Sequence, residues 1–196
     1  MNEIKIGCIV LAAGRSVRFG ADDKLLAELN GKRLIEWVLD SLPRECFCGL
    51  CAVASGAEVA QVCAERDFPC VRYPGGLLSD SIRAGLAALP EATEGVMFVN
   101  ADRPFLRSDT LREMVEAFCQ NPRSAVRLTW RGNGSNPVIF PKAARPELMA
   151  LEGDRGGSAL LKGGKYNIIE IEAHSEFETV DIDDMETLRR YENGVE

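Results

Sequence analysis

Three basic side chains, Arg15, Arg18 and Lys24, crowd into ten residues just after an apolar run, Ile6-Gly7-Cys8-Ile9-Val10-Leu11, that ends in Ala12-Ala13-Gly14. Cations gathered beside a glycine suit a polyanion such as a phosphate chain. The glycine lets backbone N–H groups come close, and the side chains supply charge. A carboxylate, Asp102, follows a second apolar run, Gly95-Val96-Met97-Phe98-Val99, within Asn100-Ala101-Asp102-Arg103-Pro104. An Asp at the carboxyl end of a strand can hold a divalent cation; its structural alternative is a turn or helix cap. The first pattern is not a P-loop, since no Gly-Lys-Ser/Thr closes it. Nor is it the dinucleotide fingerprint, whose second and third glycines would fall on Ser16 and Phe19. A solvated basic turn is its structural alternative.

These residues need rigid elements to bring them together. The apolar runs read as buried parallel strands. Further strands are expected at Cys51 to Ala54, Cys70 to Tyr73, Ala125 to Trp130, Pro137 to Phe140, Tyr166 to Ile171 and Thr179 to Ile182. Helical spacing marks the segment around Leu34, Ile35, Val38 and Leu39, which ends before Pro43. It also marks Val59, Val62 and Cys63; Ile82, Leu86 and Leu89; Leu111, Met114, Val115 and Phe118; Pro146 to Leu151; and Met185 to Tyr191. Ser79 or Asp80 is the expected cap of the third helix and Ser108 of the fourth. Strands alternating with helices predict a mostly parallel sheet covered on both faces, in one α/β domain over residues 1–196.

The chain has 196 residues, with 23 Lys+Arg against 30 Asp+Glu, a net charge of −7. That balance argues against nucleic acid or an anionic membrane as the main partner. No apolar run approaches the ~20 residues of a membrane helix. The opening Met1-Asn2-Glu3-Ile4-Lys5 does not read as a signal peptide, so a cytoplasmic location is expected. One histidine leaves no room for chemistry that needs several imidazoles. Seven cysteines, an odd number, suggest reduced thiols. Cys46, Cys48 and Cys51 could form a metal or redox cluster, but residues three apart on a strand point to opposite faces, so a structural role is favoured. His174 reads as an exposed loop residue, and Trp37 and Trp130 as packing residues. Asp154 and Arg155, in the glycine-rich loop Gly153 to Gly157, either pair with each other or serve a site.

The order Leu-Ala-Ala-Gly-Arg-Ser-x-Arg-Phe-Gly-x(3)-Lys-Leu-Leu, residues 11–26, resembles the signature of the nucleotidyltransferases, specifically the molybdenum cofactor cytidylyltransferase branch. The resemblance extends through Ser81-Ile82-Arg83-Ala84-Gly85-Leu86, Asn100 to Pro104, Asn136 to Phe140, Gly153 to Gly156 and Val180-Asp181-Ile182-Asp183. It implies a three-layer, Rossmann-like sheet of the nucleotide-diphospho-sugar transferase type.

By the same resemblance, Leu11, Ala12, Ala13, Gly14, Arg15 and Ser16 would hold the nucleotide and its triphosphate. Arg18 and Lys24 would neutralise charge during transfer. Ser81 and Gly85 would lie near the base. Asp102 would bind Mg²⁺, with Asp183 the second ligand and Asp181 a weaker candidate; plain surface acids remain the alternative for both. Ala12-Ala13-Gly14 goes with CTP users, where a double glycine goes with GTP users. Asn136, Arg103 and Asp184 depart from the pattern, at or beside the expected acceptor pocket.

The implied reaction moves CMP from CTP onto molybdopterin, a phosphorylated pterin, releasing pyrophosphate. Two anions meet in that step, so it calls for positive charge and alignment rather than a nucleophilic side chain. GTP or another acceptor, such as a sugar phosphate, is the enzymatic alternative. A non-catalytic nucleotide-binding chaperone for a client molybdoenzyme is the rival from another class.

Overall fold

The computed structural model describes residues 4–14, 19, 23–74 and 76–192. Its strands are β1 (Ile6–Ala12), β2 (Glu28–Leu29), β3 (Lys32–Arg33), β4 (Gly49–Ala54), β5 (Cys70–Arg72), β6 (Gly95–Asn100), β7 (Ala125–Trp130), β8 (Asn133–Pro141) and β9 (Ile168–Glu172). Its helices are α1 (Leu34–Ser41), α2 (Ala57–Glu65), α3 (Leu78–Ala88), α4 (Ser108–Gln120), α5 (Arg145–Met149), α6 (Ser158–Leu161) and α7 (Met185–Tyr191).

Seven strands form one sheet in the order β5-β4-β1-β6-β8-β7-β9. All neighbours run parallel except where β8 lies antiparallel between β6 and β7. Alternation along each strand divides the core. On β1, Ile6, Cys8 and Val10 face one side with Val38 of α1, Val62 of α2 and Phe118 of α4. Ile9 faces the other with Ile82 of α3, Leu148 of α5 and Leu161 of α6. The result is the expected three-layer α/β sandwich.

The chain leaves β1 for β4 on one side and later crosses to β6 on the other. β1 and β6 therefore flank the topological switch point, where open α/β sheets bind ligands beyond the strands' carboxyl ends. Gly14 and Asp102 both lie just past those ends.

Local expectations differ from the structure in several places. Residues 180–182 form no strand: a 3-10 turn, Glu176–Thr179, leads into extended chain. The Ile182 N–H bonds to Asp102 O at 3.0 Å rather than to a strand, so the segment is tied to the site. Ser79 and Asp80 lie inside α3, whose cap is Leu77, and Ser108 is the first residue of α4, whose cap is Arg107; neither cap makes a side-chain bond. Strand β8 begins at Asn133, ahead of the expected Pro137. The β2–β3 hairpin, turning through Asn30 and Gly31 at φ 52° and 76°, was not anticipated. Positive φ at both central positions is the reason for an Asn-Gly pair there.

Candidate functional site

Lys24 is set in place by its neighbours. Asp23 Oδ1 accepts the Leu25 N–H at 3.1 Å and caps the turn Lys24–Leu26, while Leu25 is buried in the core under it. The Lys24 ammonium then reaches Asp102 Oδ2 at 2.7 Å and Asp183 Oδ1 at 2.8 Å. Asp183 is fixed from both sides. Ile182 before it is fully buried, and Asp184 after it caps α7 through the Thr187 N–H at 2.7 Å. Around Ile182, residues Leu29, Leu34 and Leu188 form a small apolar cluster that holds this late segment against the hairpin.

Burial alone would lower the Lys24 pKa, but the charges and hydrogen bonds of Asp102 and Asp183 outweigh it and raise the group above its usual range. The lysine therefore stays charged at neutral pH. Asp102 Oδ1 is buried and has no hydrogen-bond partner. A buried carboxylate oxygen left without a donor carries a desolvation cost.

Asp181 plays a different part from Asp183. Arg103, buried, grips it with Nε at 2.6 Å and Nη2 at 2.8 Å. The same guanidinium donates from Nη1 to Ser135 Oγ at 2.5 Å and to Asn136 O at 2.9 Å. Arg103 thus ties together the Asp102 turn, the start of β8 and the Asp181 segment. The Asp181 carboxyl is nonetheless raised above its usual range, by burial first and by Asp102 and Asp183 nearby, against the attraction of Arg103. Asn136 accepts the Asn100 N–H at 2.8 Å and donates to Phe98 O at 3.0 Å, so its amide continues the β6 ladder past the last paired strand residue.

Two clefts open here. One, about 490 Å³, is lined by Leu11, Ala13, Gly14, Ser81, Asn100, Asp102 and Asp154, among others. A Cβ added at Gly14 would meet nothing within 4 Å, so the glycine faces open space and its backbone can be approached. The second, about 320 Å³, shares Leu11, Leu78 and Asn100 with the first and adds Arg103, Arg127, Ser135, Asn136 and the loop at Gly156 and Gly157.

Of the residues singled out from sequence, Leu11, Ala13, Gly14, Ser81 and Asp102 line the first cleft, and Lys24 and Asp183 meet Asp102. Ala12 is buried in the core below. Gly85 is buried against β1: a Cβ there would meet Ile9 Cγ2 at 2.6 Å, so its smallness lets α3 lie close to the sheet. Arg15, Ser16 and Arg18 lie outside the described residues. Asn100 and Arg127 were not singled out as site residues, while Asp154 was left open between a pairing with Arg155 and a site role. Asp154 Oδ1 accepts the Leu78 N–H at 3.4 Å at the start of α3. The acidic loop could have been matched to that helix start by its charge.

The thiols and rings fall away from this site. Cys48 is exposed while Cys51 is buried in β4. His174 is exposed beside Glu113, and Trp37 donates to Leu29 O at 2.9 Å as part of the packing. Among the described residues, no helix is long and apolar enough to cross a membrane.

The chain matches the family described as MobA-like NTP transferase domain over residues 8–172. The molybdenum cofactor guanylyltransferase of Vibrio cholerae serotype O1 is 34% identical over 156 residues, spanning 75% of this chain and 72% of that one. The probable molybdenum cofactor guanylyltransferase of Aquifex aeolicus is 31% identical over 193 residues, 93% of this chain and 88% of that one. In fold, the chain is similar to the crystal structure of Rv0371c from Mycobacterium tuberculosis H37Rv, with TM-score 0.82, 23% identity, and coverage of 98% of this chain and 100% of that one. The open Gly14 backbone after β1, the carboxylate after β6 and a match running through both strands point one way: this chain belongs to the MobA-like NTP transferase family of nucleotidyltransferases.

Proposed function

We propose that the chain moves CMP from CTP onto molybdopterin with the help of Mg²⁺, in the cytoplasm, and releases pyrophosphate. The observation that carries the reading is the Lys24 ammonium held between Asp183 and Asp102, the latter lining the Gly14 cleft. The carboxylate pair fits Mg²⁺, which takes one or two protein carboxylates and completes its shell with water and substrate phosphates. The orphaned Asp102 Oδ1 supports that fit, because it offers a lone pair that no protein donor uses. Mg²⁺ held by Asp102 and Asp183 would neutralise phosphate charge as the leaving pyrophosphate departs.

The chain's own residues do the rest. Gly14 leaves its backbone open to a phosphate, and Arg15, Ser16 and Arg18, which follow it in sequence, would add further donors by the family resemblance. Lys24 supplies a permanent positive charge where negative charge gathers. Asn100 and Leu11 form the wall between the clefts, so a donor in the first and a phosphorylated acceptor in the second would meet across it. Arg127 lines the second cleft with its guanidinium paired to Glu170, and its charge would face an acceptor phosphate there. Alignment of the two anions is the main task, and no nucleophilic side chain is required.

Ala13 supports CTP. By the family resemblance, Ala12-Ala13-Gly14 goes with CTP users and a double glycine with GTP users, and Ala13 borders the first cleft. The relatives' names, guanylyltransferases, favour GTP as the second reading. Pyrophosphate release from CTP, GTP, ATP and UTP, each with molybdopterin and Mg²⁺, tests both. Release with CTP ahead of the others supports the proposal, and GTP ahead replaces the base while keeping the chemistry. Nucleotide-dependent thermal stabilisation with no release from any of the four points instead to a binding protein serving a client molybdoenzyme.

A further inference from the structure

Two cations serve the three acids at this site, and they hold them differently. Arg103 forks onto Asp181 at 2.6 and 2.8 Å and is pinned by Ser135 and Asn136 as well. Lys24 bonds Asp102 Oδ2 at 2.7 Å and Asp183 Oδ1 at 2.8 Å, bridging two carboxylates with one ammonium. A guanidinium fork is pre-organised for one carboxylate, whereas an ammonium is a point charge on a flexible four-carbon stem. The base of that stem is fixed, because Leu25 beside it is buried and Asp23 caps the turn. Lys24 therefore moves its charge by rotating the side chain, with the backbone staying in place.

The carboxylates do not depend on Lys24 to stay together. The Ile182 N–H bonds to Asp102 O at 3.0 Å, which joins the two backbones one residue before Asp183, and Ile182 is fully buried. Turning Lys24 away leaves Asp102 and Asp183 as neighbours with one positive charge fewer between them. A divalent cation ligated by the oxygens that Lys24 bonds would stand within about 5 Å of the ammonium, because metal–oxygen bonds are about 2.1 Å long. The Lys24 and Asp102 side chains are only 12% and 19% exposed, so water screens that repulsion poorly.

We propose that Lys24 is an exchangeable placeholder for the divalent cation: its ammonium and the metal exclude each other between Asp102 and Asp183. The inference rests on the reading of these two acids as the Mg²⁺ pair. A triphosphate favours the exchange, since its anionic oxygens give the displaced ammonium a new partner. Tight metal binding is thereby tied to the arrival of the nucleotide.

The test measures Mn²⁺ binding without nucleotide, by isothermal titration calorimetry, in the unaltered chain and in Lys24→Met, with circular dichroism to confirm folding. Lys24→Met should bind Mn²⁺ about tenfold tighter, within the range usual for coupling between two ligands. In the unaltered chain, ¹⁵N NMR follows the Lys24 ammonium, identified among the six lysines by its loss in Lys24→Arg. Saturating Mg²⁺ should shift that signal and leave the other five in place. Equal or weaker Mn²⁺ binding in Lys24→Met overturns the inference, as does a Lys24 signal that saturating Mg²⁺ leaves unmoved. Asp102→Asn separates this result from the assignment beneath it. Mn²⁺ binding that needs Asp102 but gains nothing from Lys24→Met overturns the placeholder alone. Tight binding by Lys24→Met that survives the addition of Asp102→Asn overturns the metal assignment, and the placeholder with it.

Discussion

The Lys24 ammonium lies 2.7 Å from Asp102 Oδ2 although 78 positions separate the two residues along the chain. The sheet makes that contact possible. β1 and β6 pair in parallel from Ile6–Gly95 to Leu11–Asn100, so the turns that leave their carboxyl ends emerge side by side. Lys24→Ala removes the cation between Asp102 and Asp183. The expected result is a loss of about 10²–10³ in kcat/KM, the scale seen when one charge-stabilising group is removed. Steady-state pyrophosphate release, with circular dichroism to confirm folding, checks it; wild-type kinetics would contradict a role for Lys24.

The raised pKa of Lys24 has a sign that can be measured. A cation whose folded pKa lies above its ordinary 10.5 stabilises the fold fully below the unfolded value and stops doing so as pH rises through the folded one. Activity should therefore show no alkaline loss attributable to Lys24 between neutrality and about pH 10. A pH–rate profile of Lys24→Arg beside the unaltered chain provides the check. A limb near pH 8 that vanishes in the arginine variant would show that the carboxylates do not hold the charge.

Arg103 and Asp181 make a structural prediction. Arg103→Met leaves Asp181 near Asp102 and Asp183 without its counter-charge, and unfolds at a lower urea midpoint, by about 1–3 kcal/mol for a hydrogen-bonded charge left unpartnered. Adding Asp181→Asn should restore part of the loss. A double-mutant cycle with additive effects would show that the two side chains are not coupled.

Gly95 tests the packing beneath the site. A Cβ there would meet the Phe118 ring at 2.3 Å, so Gly95→Ala should cost about 1–3 kcal/mol of stability by overpacking. Denaturant midpoints measure it, and the preference among the four nucleotides should be unchanged.

Ala13→Gly bears on the base. Replacing Ala13, which borders the first cleft, with the glycine that goes with GTP users should raise the ratio of GTP to CTP use about tenfold, the lower end of what one methyl-sized change discriminates. Competition between the two triphosphates in a single reaction reports that ratio; an unchanged value removes Ala13 as the determinant.

Much of this architecture was legible because it is periodic. The buried runs of β1 and β6 and the apolar stripes of α1, α2, α3 and α4 each announce a face, and alternating faces imply layers. Lys24, Asp102 and Asp183 were legible only through the ordered motif, since nothing local says that residues so far apart will meet. The structure separates Asp181 from Asp183, two residues apart, where a strand was expected over Thr179 to Ile182. That strand does not form, and Arg103 takes one carboxylate while Lys24 takes the other. Helix caps were misread because Ser79 and Ser108 fall inside the first turns, with Leu77 and Arg107 as the boundary residues. The hairpin was legible in Asn30-Gly31 but lies between strands of two residues each, too short to show alternation.

The central claim is that Asp102 carries a divalent cation against a nucleotide tail, and turnover of Asp102→Asn tests it most directly. The amide keeps the shape and one oxygen but loses the charge. Pyrophosphate release from CTP with molybdopterin should fall at least about 10²-fold, the rate equivalent of several kcal/mol of charge stabilisation, and its dependence on added Mg²⁺ should weaken while the fold is kept. A folded Asp102→Asn protein with full turnover and an unaltered Mg²⁺ requirement would contradict the account.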